Sequence, residues 1–122
     1  MMSGMRPIAL ACLVVALGLL GRPAAAAAET TPVSSIAGLM VLEPGDKNHR
    51  LLHGAVWLAV DKAATNYRWG GAHCAGKELS PSSVQLLFAA FRSDYAISLE
   101  FTRSTFKGTE YRCVTGFTIT KS

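Results

Sequence analysis

Residues 67–74 bring together the most distinctive set of side chains for chemistry or binding in this sequence. Aromatic rings offer large contact surfaces, and a thiol is a potential nucleophile or disulfide partner. We therefore take this loop as the first candidate site, and Tyr67, Arg68, Trp69, Gly70, Gly71 and His73 as its binding residues. Two interpretations of the rings stay open: they pack on the hydrophobic edge of the domain, or they remain partly exposed as a contact patch for a sugar, peptide or protein.

The same loop resembles a segment of the NlpC/P60 family of cell-wall hydrolases. Its Tyr-x-Trp-Gly-Gly pattern at residues 67–71 is similar to the residues that precede the nucleophilic cysteine of that family. The resemblance implies a cysteine hydrolase that uses Cys74 with His73 or His53. In the family, a longer insert and Asp-Cys-Ser-Gly follow the glycines and the catalytic histidine lies downstream, whereas no histidine follows His73 here. A cysteine hydrolase is therefore the alternative function, because a thiol needs a base to activate it.

A second group that could do chemistry is the histidine pair His49 and His53. On a helix their spacing would put both imidazoles on one face, within reach of one metal ion, and His73 could supply a third ligand. The sequence lacks the glutamate that a metalloprotease carries beside its first histidine. We therefore keep the two residues only as weak metal candidates and predict no metal site and no other cofactor.

The remaining polar residues favour a binding protein over an enzyme. No serine lies in a nucleophile elbow, no glycine pattern suits a phosphate, and no run of lysine and arginine favours nucleic acid. The carboxylates show no pairing for general acid and base work, and they include Glu43, Asp46, Asp61, Glu78, Asp94, Glu100 and Glu110. We predict no catalytic residues.

The first 28 residues have the composition of a cleaved export signal. Arg6 precedes an uncharged apolar run at residues 8–20, and five alanines at residues 24–28 offer a signal-peptidase site, so we predict cleavage after Ala28. The alternative, a membrane anchor, needs about 20 consecutive apolar residues, and this run is shorter. Cleavage lowers the net charge from +4 to +2.

Export leaves two cysteines, Cys74 and Cys113, in an oxidising compartment, where we expect them to form a disulfide. In the chain-entropy model such a bridge contributes roughly 4 kcal/mol, a large share of the stability of so small a domain. The sequence therefore predicts a periplasmic or extracellular protein, and its composition suggests a bacterial source.

The elements that would position these residues follow from periodicity. We predict a flexible leader at 29–35, a strand at 36–42 and a first helix at 48–67, where apolar residues recur at helical spacing. Ser80-Pro81 begins a second helix that ends near Ser93, and alternation predicts a hairpin of residues 95–101 and 111–120 about a turn at Lys107-Gly108. In that hairpin Cys113 shares the apolar face with Phe117 and Ile119.

These elements predict an α+β fold, with two helices packed on one face of a small antiparallel sheet of two or three strands and with one disulfide. One domain spans residues 36–122. The leading function is a small exported, non-enzymatic interaction protein whose partner is an unknown protein or cell-envelope ligand, with no nucleic acid and no transmembrane segment after signal cleavage.

Overall fold

The computed structural model describes residues 27–121, and the predicted export signal lies almost entirely outside them. The described residues form six β-strands, one α-helix and a short 3₁₀ helix. In chain order these are β1 (Glu29–Thr30), β2 (Ser34–Val41), β3 (Gly54–Leu58), the 3₁₀ helix (Ala59–Asp61), β4 (Asn66–Trp69), α1 (Pro81–Arg92), β5 (Ala96–Phe106) and β6 (Thr109–Thr120).

The six strands form one mixed sheet that closes on itself. The order is β1-β5-β2-β3-β4-β6, and β6 also pairs with β5, so the last five strands make a ring with β1 added outside β5. All pairings are antiparallel except that of β4 with β6. If the five ring strands β2 to β6 are renumbered 1 to 5 along the chain, their order around the ring is 1-2-3-5-4. In the chain, α1 lies between the third of these strands, β4, and the fourth, β5. This is the connectivity of the OB-fold, a Greek-key barrel.

The predicted α+β fold with two helices on a small antiparallel sheet is therefore wrong. The first helix, predicted at 48–67, does not form: β3 pairs with β4 in its place. All residues of β3 except Trp57 are buried, so its apolar residues run without a break. A continuous apolar run matches a strand buried on both faces as well as a helix, and here the strand pairing prevails.

Three other predicted elements are confirmed. The strand predicted at 36–42 is β2, and the hairpin is β5 and β6, joined by Lys107 and Gly108. Both turn residues have positive φ, the conformation of the two-residue turns that suit twisted hairpins. The second helix is α1, where the Ser80 hydroxyl accepts a hydrogen bond from the Ser83 amide at 3.2 Å, as expected of a capping serine.

Residues 29–35, predicted as a flexible leader, are held against the sheet, because they include β1 and the first two residues of β2. Glu29 and Thr30 pair with Phe101 and Glu100 of β5. The Thr31 side chain is buried, and its Oγ1 accepts a hydrogen bond from the Leu99 amide at 2.9 Å. Hydrogen bonds to the neighbouring strand thus order a segment whose composition alone resembles a linker.

Strand β6 contains a β-bulge, and because of it the predicted face of Cys113 is wrong. Phe101 pairs with Val114 while Glu100 pairs with Gly116, which leaves Thr115 as the extra residue. The bulge reverses the alternation, so Val114 and Phe117 face the core and Cys113 lies on the outer face of the barrel. Cys113 is nevertheless fully buried, because the loop after β4 covers it and Cys74 bonds to it with an S–S distance of 2.08 Å.

The core fills the barrel and the contact with α1. The helix contributes Leu87 and Ala90, and the strands contribute the remaining buried side chains, which are Ile36, Val56, Leu58, Tyr67, Trp69, Ile97, Leu99, Phe101 and Val114. Within residues 27–121 no helix has the length and apolar character needed to cross a membrane.

Candidate ligand-binding site

The alternation of β4 decides which residues of the 67–74 loop face the surface. Tyr67 and Trp69 point into the barrel and are 5% and 1% exposed, whereas Arg68 between them points outward and is half-buried. The packing interpretation of the two rings is therefore the correct one, and neither ring forms an exposed contact patch. Arg68 and His73 are the members of the predicted set that face the outer side of the sheet.

The glycine pair turns the chain sharply after β4. Gly70 and Gly71 both have positive φ, which glycine adopts without a steric penalty. At Gly71 there is a second reason, because a Cβ would lie 2.5 Å from the backbone carbonyl of Leu51. Amide hydrogen bonds from Ala72 to Arg50 and from His73 to Leu51, both 2.9 Å, then hold the loop on the neighbouring chain. The turn returns the chain to β4 and places His73 beside Arg68.

Arg68, His73 and Tyr111 form a compact cluster on the outer face. Arg68 donates from one terminal nitrogen to His73 Nδ1 at 2.7 Å and from Nε to Asn66 Oδ1 at 2.9 Å. The His73 ring stacks on Tyr111 with centroids 4.0 Å apart and an angle of 10° between their planes, and the Arg68 guanidinium lies 4.6 Å from the Tyr111 ring centroid. These contacts fix the Arg68 side chain in one position.

The protonation of His73 follows from its surroundings. Burial, and then the positive charge of Arg68, lower the pKa of His73 below its ordinary value. The imidazole is therefore neutral near neutral pH, and its Nδ1 lone pair accepts the hydrogen bond from Arg68.

Beside this cluster lies a polar pocket of about 300 Å³, which we call the arginine pocket. Strands β4, β5 and β6 and the residues just before β4 supply its walls. Its lining residues are Ala64, Thr65, Asn66, Arg68, Arg103, Glu110, Tyr111 and Arg112.

The three arginines of the pocket differ in their partners. Arg103 is held by carboxylates: Nε and one terminal nitrogen donate to Glu29 at 2.6 and 3.2 Å, and the other terminal nitrogen donates to Glu110 at 3.0 Å. The hydrogen bond from Arg103, together with the charges of Arg103 and Arg112, lowers the pKa of Glu29. Arg103 is thus already neutralised within the protein.

Arg68 and Arg112 have no carboxylate partner among the described residues. The hydrogen-bond acceptors of Arg68 are a neutral amide and a neutral imidazole, and the Arg112 guanidinium lies 5.8 Å from the centroid of the Tyr67 ring. Arg112 also sits directly opposite Arg103 across the hairpin, an unfavourable pairing of like charges. The pocket therefore carries positive charge that an anion would neutralise.

The disulfide holds the two sides of this site together. β4 and β6 are joined by one residue pair, Arg68 with Cys113. The bond from Cys113 to Cys74, with Cα atoms 5.5 Å apart, ties the 67–74 loop to β6 at the same level. Cys74 follows His73 and Cys113 follows Arg112, so the covalent link positions the residues that form the cluster and the pocket.

The remaining sequence candidates lie elsewhere. Cys74 is consumed in the disulfide and has no free thiol in this structure. His49 and His53 do not share a helix face, because residues 48–53 form part of the β2–β3 connection. His53 Nδ1 instead lies 2.5 Å from Glu78 Oε2. Within residues 27–121 no three histidine, cysteine, aspartate or glutamate residues are grouped to hold a metal ion.

Sequence reasoning missed Tyr111, Arg112 and Arg103 as site residues. One signal is present in the sequence: counting outward from the turn at Lys107-Gly108 pairs Arg103 with Arg112, and like charges directly opposite each other are destabilising unless an anion neutralises them. Comparison with family models, with curated proteins and with solved structures finds no match for this chain.

Proposed function

We propose that this protein is an exported, non-enzymatic binding module that holds an acidic oligosaccharide of the cell envelope in the arginine pocket. The observation that carries the proposal is the convergence on one preformed pocket of Arg68 and Arg112, two guanidiniums that have no carboxylate partner within residues 27–121. A guanidinium binds carboxylate or phosphate oxygens through charge-assisted hydrogen bonds, which are stronger than neutral ones.

The lining supports a sugar as the carrier of the acidic group. Thr65 and Asn66 offer neutral hydrogen-bonding groups beside the charges, and Tyr111 offers an aromatic ring, the combination suited to hydroxyls and to the apolar face of a sugar. By analogy, OB-folds bind oligosaccharides or oligonucleotides on the face of their second and third strands and on the adjoining loops. β4 is the third strand of this barrel, and it carries Arg68.

Two alternatives to oligosaccharide binding are less well supported. One is binding of an oligonucleotide, and the other is cleavage of a substrate by a cysteine nucleophile. A disulfide is typical of proteins outside the cytoplasm, so a component of the cell envelope is a more expected ligand than an oligonucleotide. The alternative function, a cysteine hydrolase acting through Cys74, loses support because that sulfur is bonded to Cys113 and cannot act as a thiolate nucleophile.

The proposal can be tested by NMR titration of the ¹⁵N-labelled domain with trigalacturonic acid, in which each sugar carries a carboxylate. We expect the side-chain Nε–H signals of Arg68 and Arg112 to shift on binding. Arg112→Gln should weaken binding by about tenfold, because one charge-assisted interaction is lost. Maltotriose, which is neutral, should bind much more weakly.

The control variant is Arg92→Gln at the end of α1, which removes the same charge outside the pocket and should leave the affinity unchanged. Equal affinity in the Arg112 and Arg92 variants would contradict the proposed site. Preferential binding of an octamer of deoxythymidine over the acidic sugar would contradict the proposed ligand class.

A further inference from the structure

A second pocket of about 390 Å³ lies where the N-terminal end of α1 meets the loop after β2, and we call it the helix-end pocket. Its walls are mostly apolar, and the buried Trp69 contributes to them. The lining residues are Val41, Leu42, Glu43, Pro44, His53, Trp69, Glu78, Leu79, Pro81, Val84 and Gln85. None of them lines the arginine pocket, so the two pockets are separate.

The charge of the helix-end pocket is opposite to that of the arginine pocket. Glu43 and Glu78 line it, and its lining within the described residues includes no lysine or arginine. Two carboxylates, with His53 as the one basic side chain in the lining, make this pocket favourable for a cation.

The Glu78 carboxylate is held in place rather than free to swing away. Its Oε2 pairs with His53 Nδ1, and a Cβ on Gly70 would overlap both groups, so the pair packs directly over that glycine. His53 is fixed through its backbone, since its amide donates to the Trp69 carbonyl at 2.9 Å and its carbonyl accepts from Leu42 at 2.8 Å. The Glu78 side chain is still 46% exposed, which leaves acceptor sites for a ligand.

We propose that the helix-end pocket binds a small apolar amine, with the ammonium group on Glu78 and the hydrocarbon part against the apolar walls. The volume lies at the lower end of the range for small-molecule sites. An aliphatic chain would cover Leu79 and Val84 at the base of α1 and remove apolar surface from water, while the ammonium would form a charge-assisted hydrogen bond with the carboxylate. This site does not depend on the function proposed for the arginine pocket.

The chain supplies its own reporter for this site. It contains two tryptophans, Trp57 on the outer face of β3 and Trp69 in the wall of the pocket. Trp57→Phe therefore leaves Trp69 as the only tryptophan, and its emission can be excited selectively over that of the three tyrosines. We expect titration with n-hexylammonium chloride, at constant ionic strength, to change the Trp69 fluorescence saturably, with a dissociation constant on the order of a millimolar.

Two matched ligands separate charge from apolar contact. n-Hexanol should bind about tenfold more weakly than n-hexylammonium, and hexanoate should bind more weakly still. In the same background Glu78→Gln keeps the shape of the side chain and should reduce the preference for the amine over the alcohol to about twofold or less. Asp94→Asn, which removes a carboxylate beyond the other end of α1, should retain the full preference.

Three results would overturn the inference. They are no saturable fluorescence change with n-hexylammonium, equal affinity for the amine and the alcohol in the parent protein, or an undiminished preference for the amine in Glu78→Gln. Circular dichroism of each variant establishes that it is folded. If Glu78→Gln does not fold, ¹H–¹⁵N spectra of the parent protein decide the question, because shifts must then cluster at residues 41–44, 78–79 and 84–85.

Discussion

Protonation of the His73 imidazole is unfavourable in the folded protein. His73 is buried against Tyr111, and its Nδ1 already accepts a hydrogen bond from the Arg68 guanidinium. A protonated imidazole would lose this acceptor and face a like charge in a poorly solvated site. The folded protein therefore takes up this proton at a lower pH than the unfolded chain does.

From this difference we predict that stability falls as the pH is lowered. Below the unfolded pKa of about 6.5 the unfolded chain binds a proton that the folded state does not, and the loss continues until the pH reaches the lower pKa of the folded protein. Urea midpoints measured between about pH 8 and pH 5 should decrease, and less steeply in His73→Gln. His49→Gln, in the β2–β3 connection, is the control. An equally steep decrease in the His73 variant would contradict the prediction.

The two glycines Gly71 and Gly76 form a natural pair for measuring steric cost. Both have positive φ, but a Cβ on Gly71 meets the Leu51 backbone at 2.5 Å, whereas a Cβ on Gly76 meets nothing within 4 Å. We predict that Gly76→Ala lowers the free energy of unfolding by about 1 kcal/mol, from the backbone conformation alone. Gly71→Ala should cost about 1–3 kcal/mol more. Chemical denaturation of both variants measures the difference, and equal losses would show that the loop relaxes away from Leu51.

At the scale of elements, the bulge at Thr115 places one extra residue in β6 opposite β5. Deleting Thr115 would remove the extra residue and make Val114 and Gly116 neighbours opposite Phe101 and Glu100, so both would keep their faces and Cys113 would stay on the outer face beside Cys74. We predict that the deletion variant forms the complete disulfide after oxidative refolding, as measured by thiol titration. Thr115→Ala, which keeps the residue count, should also keep the disulfide. Free thiols in the deletion variant would contradict this account.

The elements also show why some of the fold followed from sequence and some did not. α1 is predictable because its signals are local. Ser80-Pro81 and the apolar stripe lie within the helix or directly before it, so no distant contact is needed to recognise them. The prediction of a helix at 48–67 is wrong because β3 is stabilised as a strand by pairing with β2 and β4. The residues of β3 alone do not reveal this pairing. A bulge likewise depends on the partner strand, so the faces of Cys113 and Tyr111 could not be read from alternation alone.

The candidate site is predictable only where its signals are local in the sequence. The sequence identifies residues 67–74 as a candidate site, which stays a prediction, and it predicts the observed Cys74–Cys113 disulfide because only two cysteines follow the predicted export signal. Arg112 was missed because its role depends on the distant Arg68, which the parallel pairing of β4 with β6 brings close. Sequence patterns of single elements do not contain such contacts.

At the scale of the whole molecule, the disulfide lies where the barrel closes, because Cys113 belongs to the single residue pair that joins β4 to β6. We predict that the double variant Cys74→Ala/Cys113→Ala loses roughly 3–4 kcal/mol of stability in urea denaturation. Binding at the arginine pocket should weaken more than binding at the helix-end pocket, because only the former spans β4 and β6. Equal weakening at both pockets would indicate a general loss of structure in place of a local one.

Ring closure also bears on behaviour at high protein concentration. Each barrel strand has a neighbour on both sides, and the added strand β1 is two residues long and carries Glu29 beside Arg103. A short, charged outer strand is a poor template for strand addition by another chain. Reduction of the disulfide would weaken the single-residue junction of β4 with β6 and expose two strand edges, so we expect the oxidised protein to be more resistant to aggregation as well as more stable.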